Sequence, residues 1–251
     1  HYQKVAVAFS GGIDSALVLK AACDTLGPEK VLALFARSPL LKTREVERAL
    51  DWPQENGFGS ELTLEVVELQ PLGWKEFVSN ELERCYLCKL RMYKHFLERL
   101  EKRGIAVLLD GTNTDDLKTH RPGLRALHEL GVKTPLVDVG IDKADVRMLG
   151  RKLRLSNWDH PSSSCLATRI PVGMPITEQR LRLVETLEEG LRRLGLMDFR
   201  VQLEDEGART VVLSIGPAEF ERVLPVGVRL AIVRLLKQHK VDRVLLNLEG
   251  R

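Results

Sequence analysis

Six consecutive residues near the start of the chain, Ser10-Gly11-Gly12-Ile13-Asp14-Ser15, combine types that can grip a phosphate. They stand between a short apolar β-type run at residues 4–9 and a helical pattern (Ala16, Leu17, Leu19, Ala21) that ends at Gly27-Pro28. Two adjacent glycines let the backbone turn so tightly that successive N–H groups face one point. The following helix adds the positive end of its dipole, and Ser10 and Ser15 add hydroxyl donors. Such a cup suits a pyrophosphate. The string lacks the Gly-Lys-Ser/Thr of a Walker loop and does not fit G-x-G-x-x-G. The plain alternative is a glycine turn capped by Asp and Ser. The full string, placed after the first strand, favours phosphate binding.

A second polar cluster, Gly111-Thr112-Asn113-Thr114-Asp115-Asp116, follows a strand pattern at residues 105–109. That is the carboxyl end of a strand, where open α/β sheets bind ligands, and paired carboxylates there could hold a metal–nucleotide complex. Taken alone the cluster is equally a capped loop.

The sulfur-bearing residues form a third group. Cys85 and Cys88 have C-x-x-C spacing, so on a helix they share one face and can reach one metal. Cys165 lies in a Ser/Pro-rich stretch with Arg169 close in sequence, a setting that favours thiolate. Two thiols cannot fill a tetrahedral site. Cys165 could supply a third ligand, and three thiolates on a 4Fe–4S cluster would leave one iron open for sulfide. A Cys85–Cys88 redox pair, a zinc site completed by His160, and inert helix-packing thiols are the competing readings. Cys23, among Ala21, Ala22 and Leu26, reads as core. His95, His120, His128 and His239 read as solvated, and Trp52, Trp74 and Trp158 as packing.

The Ser10–Ser15 string resembles the signature of the PP-loop, or N-type ATP pyrophosphatase, superfamily. That resemblance implies cleavage of ATP to AMP and pyrophosphate, with Asp14 near Mg2+ and the pyrophosphate. Glu83-Arg84-Cys85-Tyr86-Leu87-Cys88-Lys89, the Gly-Thr-Asn string, Arg121-Pro122-Gly123 and the run from Cys165 to Gly173 narrow it. Jointly, over residues of about 4 to 215, they resemble the LarE-type ATP-dependent sulfur transferases. The resemblance implies that ATP adenylates a carboxylate of a pyridinium-3,5-biscarboxylate mononucleotide, which becomes a thiocarboxylate with loss of AMP. It places ATP at Ser10, Gly11, Gly12, Asp14, Ser15, Gly111, Thr112, Asn113, Asp115 and Arg121. It places charged active-site groups at Arg169, Glu188 and Arg200, beside a sulfur-carrying Cys165. One branch of the family carries three cysteines and a 4Fe–4S cluster, the other a single sacrificial cysteine. With Cys85, Cys88 and Cys165 all present, this chain matches the cluster branch, and small-molecule nucleotide and sulfide are its implied partners. Arg200-Val201-Gln202 departs from a frequent Arg-Val-Arg, which bears on recognition of the substrate phosphate. The resemblance also implies a homo-oligomer, such as a hexamer.

Bottom-up chemistry agrees with adenylation. A carboxylate is a poor electrophile, and coupling it to AMP gives it a good leaving group; Lys89, Arg121 or Arg169 could stabilise the charge that develops. Two other classes compete: a tRNA thiolase, which would call for a basic face or tandem C-x-x-C pairs, and a non-catalytic nucleotide sensor or sulfur carrier.

The elements that must position these groups fall into two patterns. Up to about residue 160, strands (residues 31–36 and 62–69) alternate with helices (42–56, disturbed by Pro53, and 86–103). The alternation continues through Pro135-Leu136-Val137 and a helix at 143–153. This predicts an α/β domain at residues 1–160, an open parallel sheet with helices on both faces. Residues 161–176 read as a hinge carrying the cysteine loop. Residues 177–251 read as a small α+β domain: a helix at 177–194, a hairpin of 199–203 with 210–215, a helix at 218–239 and a strand at 243–246. With 251 residues, 44% hydrophobic, the chain can bury two cores. A net charge of +3 and the lack of a basic block argue against nucleic acid. No apolar run approaches the roughly 18 residues of a membrane span. No charged leader is evident, so the expected location is cytoplasmic.

Overall fold

The computed structural model describes residues 2–118 and 121–250, so His120 lies outside the described residues. The chain divides into two compact units: residues 1–71 with 83–163, and residues 72–82 with 164–251.

The first unit is built on four parallel strands, β1 (Val5–Ala8), β2 (Val31–Arg37), β3 (Thr63–Glu68) and β4 (Leu108–Asp110), in the order β3-β2-β1-β4. β1 is apolar at every position and fully buried, as a strand covered on both faces must be. It pairs with β2 from Val5↔Val31 to Ala8↔Leu34, and with β4 from Ala6↔Leu108 to Ala8↔Asp110. The flanking helices are α1 (Ile13–Leu26) and α2 (Thr43–Glu55), then, in chain order after the excursion described below, α4 (Arg84–Glu101), α5 (Thr114–Leu117), α6 (Pro122–Glu129), α7 (Pro135–Asp138) and α8 (Lys143–Lys152). The core joins Val7, Phe9, Leu17, Leu19, Phe35 and Trp52. Trp52 stacks on Phe58 and tilts against Phe9, so it is packing, as its sequence setting predicts.

One expected strand is absent. Residues 135–137 begin the short helix α7 because Pro135 has no N–H for a ladder and suits the first helical position. The sheet is instead extended at Lys133, whose N–H donates to Leu108 O (2.9 Å) while Asp110 N–H donates to Lys133 O (2.8 Å).

The second unit takes the excursion 72–82, with the short helix α3 (Lys75–Val78), together with the chain from Ser164 onward. A 3-10 turn (Leu166–Arg169) precedes α9 (Glu178–Arg193), whose N-cap Thr177 accepts from Arg180 N–H at 3.2 Å. The expected hairpin forms between β5 (Phe199–Leu203) and β6 (Thr210–Ile215), and β7 (Arg243–Asn247) pairs parallel to β6. The helix predicted at 218–239 is broken into α10 (Phe220–Val223) and α11 (Val226–Gln238). Pro225 stands at the break, where it can neither donate a hydrogen bond nor let its predecessor continue the helix.

Candidate active site

The order β3-β2-β1-β4 makes the carboxyl ends of β1 and β4 a topological switch point, the place where an open α/β sheet leaves a crevice. β1 runs into Ser10–Ser15 and β4 into Gly111–Asp116, so two strings about a hundred residues apart become neighbours. The contact is close enough to demand glycine. A Cβ on Gly111 would lie 2.5 Å from Ser15 N and 2.8 Å from Asp14 C, both backbone atoms at the start of α1.

The first loop is tied by its own hydroxyls. Ser15 Oγ accepts from Ser10 N–H (3.1 Å), donates to Gly12 O (3.0 Å) and lies 3.0 Å from Ser10 Oγ. Gly11 has φ +77, and a Cβ there would meet the Ala49 side chain at 2.9 Å. Its carbonyl accepts from buried Asn157 Nδ2 (2.9 Å), and Asn157 Oδ1 accepts from Trp52 Nε1 (3.3 Å). Gly12 caps α1 with no side chain on its first N–H groups. A helix start of this kind presents donors and positive potential to an anion.

The second loop brings its polar groups to Asp14. Asn113 Oδ1 caps α5 by accepting from Asp115 N–H (3.0 Å), while its Nδ2 donates to Asp14 Oδ1 (3.0 Å). Lys143, the first residue of α8, places its ammonium on Asp14 Oδ2 and donates its backbone N–H to Asp115 Oδ2 (3.1 Å). Asp115 is held below the usual carboxylate range by the Lys118 ammonium and then by that Lys143 N–H. Arg121 pairs with Asp116 at 2.7 Å. Beneath the loop, buried Asp110 accepts from Thr112 N–H (2.8 Å) and from the Tyr93 hydroxyl. Burial first, then the Asp110 charge, pushes the Tyr93 phenol well up, so it remains a donor.

The structure thus gathers Ser10, Gly11, Gly12, Asp14, Ser15, Gly111, Thr112, Asn113 and Asp115 at one switch point. It also adds Lys143 and Asn157, which have no local signature: each is recognisable only from a contact more than a hundred residues away in sequence.

Cys85 and Cys88 occupy the first turns of α4, both half-buried in the first unit. Lys89 on the same helix packs its stem against Gly123, where a Cβ would meet Lys89 Cδ at 2.7 Å, with its ammonium 5.7 Å from the Tyr93 ring centre. Cys165 belongs to the second unit. Among the described residues no three His, Cys, Asp or Glu side chains assemble as a metal-holding group. Cys23 is buried, and desolvation followed by the Asp24 charge pushes its thiol up to about 12, so it is the core residue expected. His160 is shifted toward its neutral form, mainly by burial and then by Arg48.

Within the second unit, Cys165 caps the 3-10 turn and its carbonyl takes three donors: Thr168 N–H (3.0 Å), Thr168 Oγ1 (2.8 Å) and Arg169 Nη1 (3.3 Å). The thiol is half-buried. Arg169 is 1% exposed; Nη1 also donates to Ser164 O (2.8 Å) and Ser164 Oγ (2.6 Å), and Nε pairs with Glu188 Oε1 at 3.0 Å. The same Glu188 oxygen accepts from Val201 N–H (3.1 Å), which ties α9 and the cysteine turn to the edge of β5 beside Arg200. Arg169, expected to lend its charge to the reaction, has that charge turned inward onto Glu188 and the cysteine turn.

A parallel sheet carrying Ser-Gly-Gly-x-Asp-Ser at its switch point, with a small mixed α+β unit, defines an α/β protein of the PP-loop-like class. No protein-family model matches the chain. It is 35% identical, over 82% of its length and 74% of the relative's, to the pyridinium-3,5-bisthiocarboxylic acid mononucleotide synthase of Lactiplantibacillus plantarum. It is 34% identical over 97% of its length (88% of the relative) to the uncharacterized protein slr1717 of Synechocystis. It is 29% identical over 98% of its length (90% of the relative) to the uncharacterized protein MJ0830 of Methanocaldococcus jannaschii. The chain belongs to the LarE family, that of the pyridinium-3,5-bisthiocarboxylic acid mononucleotide synthases.

Proposed function

We propose that the protein is an ATP-dependent sulfur transferase that converts a carboxylate of a pyridinium-3,5-biscarboxylate mononucleotide to a thiocarboxylate, a step in making a nickel-pincer nucleotide. The observation that carries the nucleotide half is the convergence of Asn113 and Lys143 on Asp14, with Asp115 on the Lys143 N–H, beside the uncapped start of α1. Carboxylates with a partly exposed ammonium beside a helix N-terminus suit a magnesium-bound triphosphate. Asp14 and Asp115 would hold Mg2+, which when bound draws charge from the phosphate oxygens. The substrate carboxylate attacks the α-phosphorus, and pyrophosphate leaves against the α1 N–H groups and Lys143. A hydrosulfide-level sulfur then adds to the acyl carbon, AMP departs with the electron pair of the broken C–O bond, and the sulfur's proton passes to solvent.

Cys165 stands at the sulfur-transfer end of this reading, supported by a thiol left half-buried while its backbone is fixed. Cys85 and Cys88 fit as two thiolate ligands of a 4Fe–4S cluster with Cys165 as the third; when bound, such a cluster would offer an open iron to sulfide. A second reading rests on the same half-buried thiol and fixed turn: Cys165 itself forms the thioester with loss of AMP, and loss of its Cα proton with cleavage of its Cβ–S bond releases the thiocarboxylate and leaves dehydroalanine. No helix among the described residues is long and apolar enough to cross a membrane. The family reading also carries a homo-oligomer, which light scattering would measure.

The test is product analysis with ATP, Mg2+ and the biscarboxylate mononucleotide. AMP and pyrophosphate in equal amounts, with thiocarboxylate formed when a sulfur source is present, are expected. ADP as the main product would overturn the assignment.

A further inference from the structure

Asn80 belongs to none of the sites above, yet it is 0% exposed and sits at φ +62, a left-handed conformation uncommon for a non-glycine residue. Asn is the side chain best suited to that conformation, and here it carries a full set of bonds. Its Nδ2 donates to Pro171 O (2.6 Å) and Met174 O (2.7 Å) and lies 3.4 Å from Ile170 O. Its own carbonyl accepts from Gly173 N–H (3.0 Å), and Val78 O accepts from Ile176 N–H (2.9 Å). The excursion 72–82 is therefore bonded along residues 170–176.

Ile170 closes the 3-10 turn that Cys165 opens, its N–H donating to Ala167 O (3.2 Å). The cysteine turn is thus gripped at both ends. Arg169, anchored on Glu188, holds Ser164 and Cys165 from within, and Asn80 holds the segment just beyond Ile170. Burying a carboxamide, a guanidinium and a carboxylate is costly unless each is fully bonded. All three serve one stretch of about a dozen residues, and the only thiol in that stretch is that of Cys165.

We infer that Asn80 is a positioning residue for sulfur transfer: by clamping residues 170–176 it fixes the turn that presents Cys165. The inference rests on the reading of Cys165 as the sulfur-bearing residue. Adenylation uses groups of the first unit and does not depend on it.

The experiment compares the full chain with Asn80→Gly, which keeps the left-handed backbone and removes the carboxamide, and with Asn80→Asp, which keeps size and backbone preference but removes both amide donors. Hydrogen exchange and site-resolved alkylation of Cys165 by iodoacetamide are measured beside pyrophosphate release and thiocarboxylate yield. We expect at least tenfold faster exchange across residues 164–176, at least a threefold change in Cys165 alkylation, thiocarboxylate yield down at least tenfold, and pyrophosphate release within twofold of the parent. Loosening confined to 171–176 with unchanged Cys165 alkylation would overturn the inference, as would equal loss of both activities. Should either variant not fold, the amides of Gly173 and Ile176 in the parent protein must exchange only on global unfolding; exchange at loop rates would overturn it without any variant. If Cys165→Ala keeps full thiocarboxylate yield, the functional reading fails, whereas the exchange and alkylation results still judge the clamp.

Discussion

Lys143 and Asp14, 129 residues apart in sequence, meet as an ion pair at the mouth of the β1–α1 loop, with the Lys143 backbone N–H on Asp115. Both side chains are about a quarter exposed, so the pair can exchange partners when a nucleotide arrives. In the proposed reaction its rearrangement would give the leaving pyrophosphate a cation and free Asp14 for Mg2+. Replacing Lys143 with Met should therefore lower kcat/KM for ATP by roughly a hundredfold or more, the scale of losing one preorganised charge-stabilising donor. Asp14→Asn should abolish turnover, with far-ultraviolet circular dichroism unchanged in both variants. Pyrophosphate release within threefold of the parent in Lys143→Met would remove Lys143 from the mechanism.

Gly111 offers a steric test of the switch point. A methyl group there would overlap the Ser15 backbone, which cannot yield without moving the start of α1. Gly111→Ala should cost about 1–3 kcal/mol of stability, as overpacking does, and should weaken ATP binding beyond that loss. Gly227, within α11 and with open space around its missing Cβ, is the control. Gly227→Ala should stabilise by up to about 1 kcal/mol through helix propensity. Urea midpoints and ATP titration calorimetry separate the two, and equal stability of both variants would contradict the close approach.

What the sequence made legible was local. Gly-Gly after an apolar strand and before a helix is a signal contained in a dozen residues, and the loop formed where expected. The residues left unread, Lys143, Asn157 and Asn80, take their meaning from partners some 90 to 150 positions away, and no periodicity or spacing announces such contacts. Two misread elements share one cause. Proline overrode a hydrophobic pattern at 135, where a strand was expected, and at 225, where a single helix was. Arg169 illustrates the same limit: its closeness to Cys165 is plain in the sequence, whereas its pairing with Glu188, 19 residues on, appears only in the fold.

That pair predicts an asymmetry. Arg169 and Glu188 side chains are 1% and 3% exposed, so removing one partner leaves a buried charge uncompensated. Glu188→Leu should destabilise the second unit by about 3–5 kcal/mol, whereas the double change Arg169→Met with Glu188→Leu should recover part of that loss. Hydrogen exchange within β5 and α9 reads the second unit alone. A double variant whose loss equals the sum of the two single changes would show that the pair has no coupling to lose.

Cys23 gives a pH-dependent prediction with a definite sign. Its thiol is pushed up to about 12 from 9.0, so between those values the folded chain keeps a proton that the unfolded chain releases. Stability from this site is full below about 9 and declines as pH rises toward 12. At pH 8 only about one native Cys23 in ten thousand is thiolate. Iodoacetamide on metal-free protein should therefore modify Cys85, Cys88 and Cys165 and spare Cys23 until denaturant is added. Early modification of Cys23 would show that its side of α1 opens readily.

The two sulfur routes differ in which cysteines matter and how often the protein can act. If Cys85, Cys88 and Cys165 jointly hold a 4Fe–4S cluster, anaerobically purified protein should contain iron and acid-labile sulfide, and any single change to Ala should remove most of both. Thiocarboxylate formation should fall with them, while pyrophosphate release survives because adenylation calls on Asp14, Asn113 and Lys143 and needs no sulfur. Added sulfide should then support repeated turnover. The sacrificial route predicts the opposite pattern. Only Cys165 would be required, each chain would act once, and the peptide containing residue 165 would lose the mass of hydrogen sulfide as the side chain becomes dehydroalanine. The fixed backbone of Cys165 suits both routes, since a nucleophile and a ligand alike need a defined direction. The deciding measurement is the double variant Cys85→Ala with Cys88→Ala: full single-turnover yield selects the sacrificial route, and loss of thiocarboxylate with retained pyrophosphate release selects the cluster.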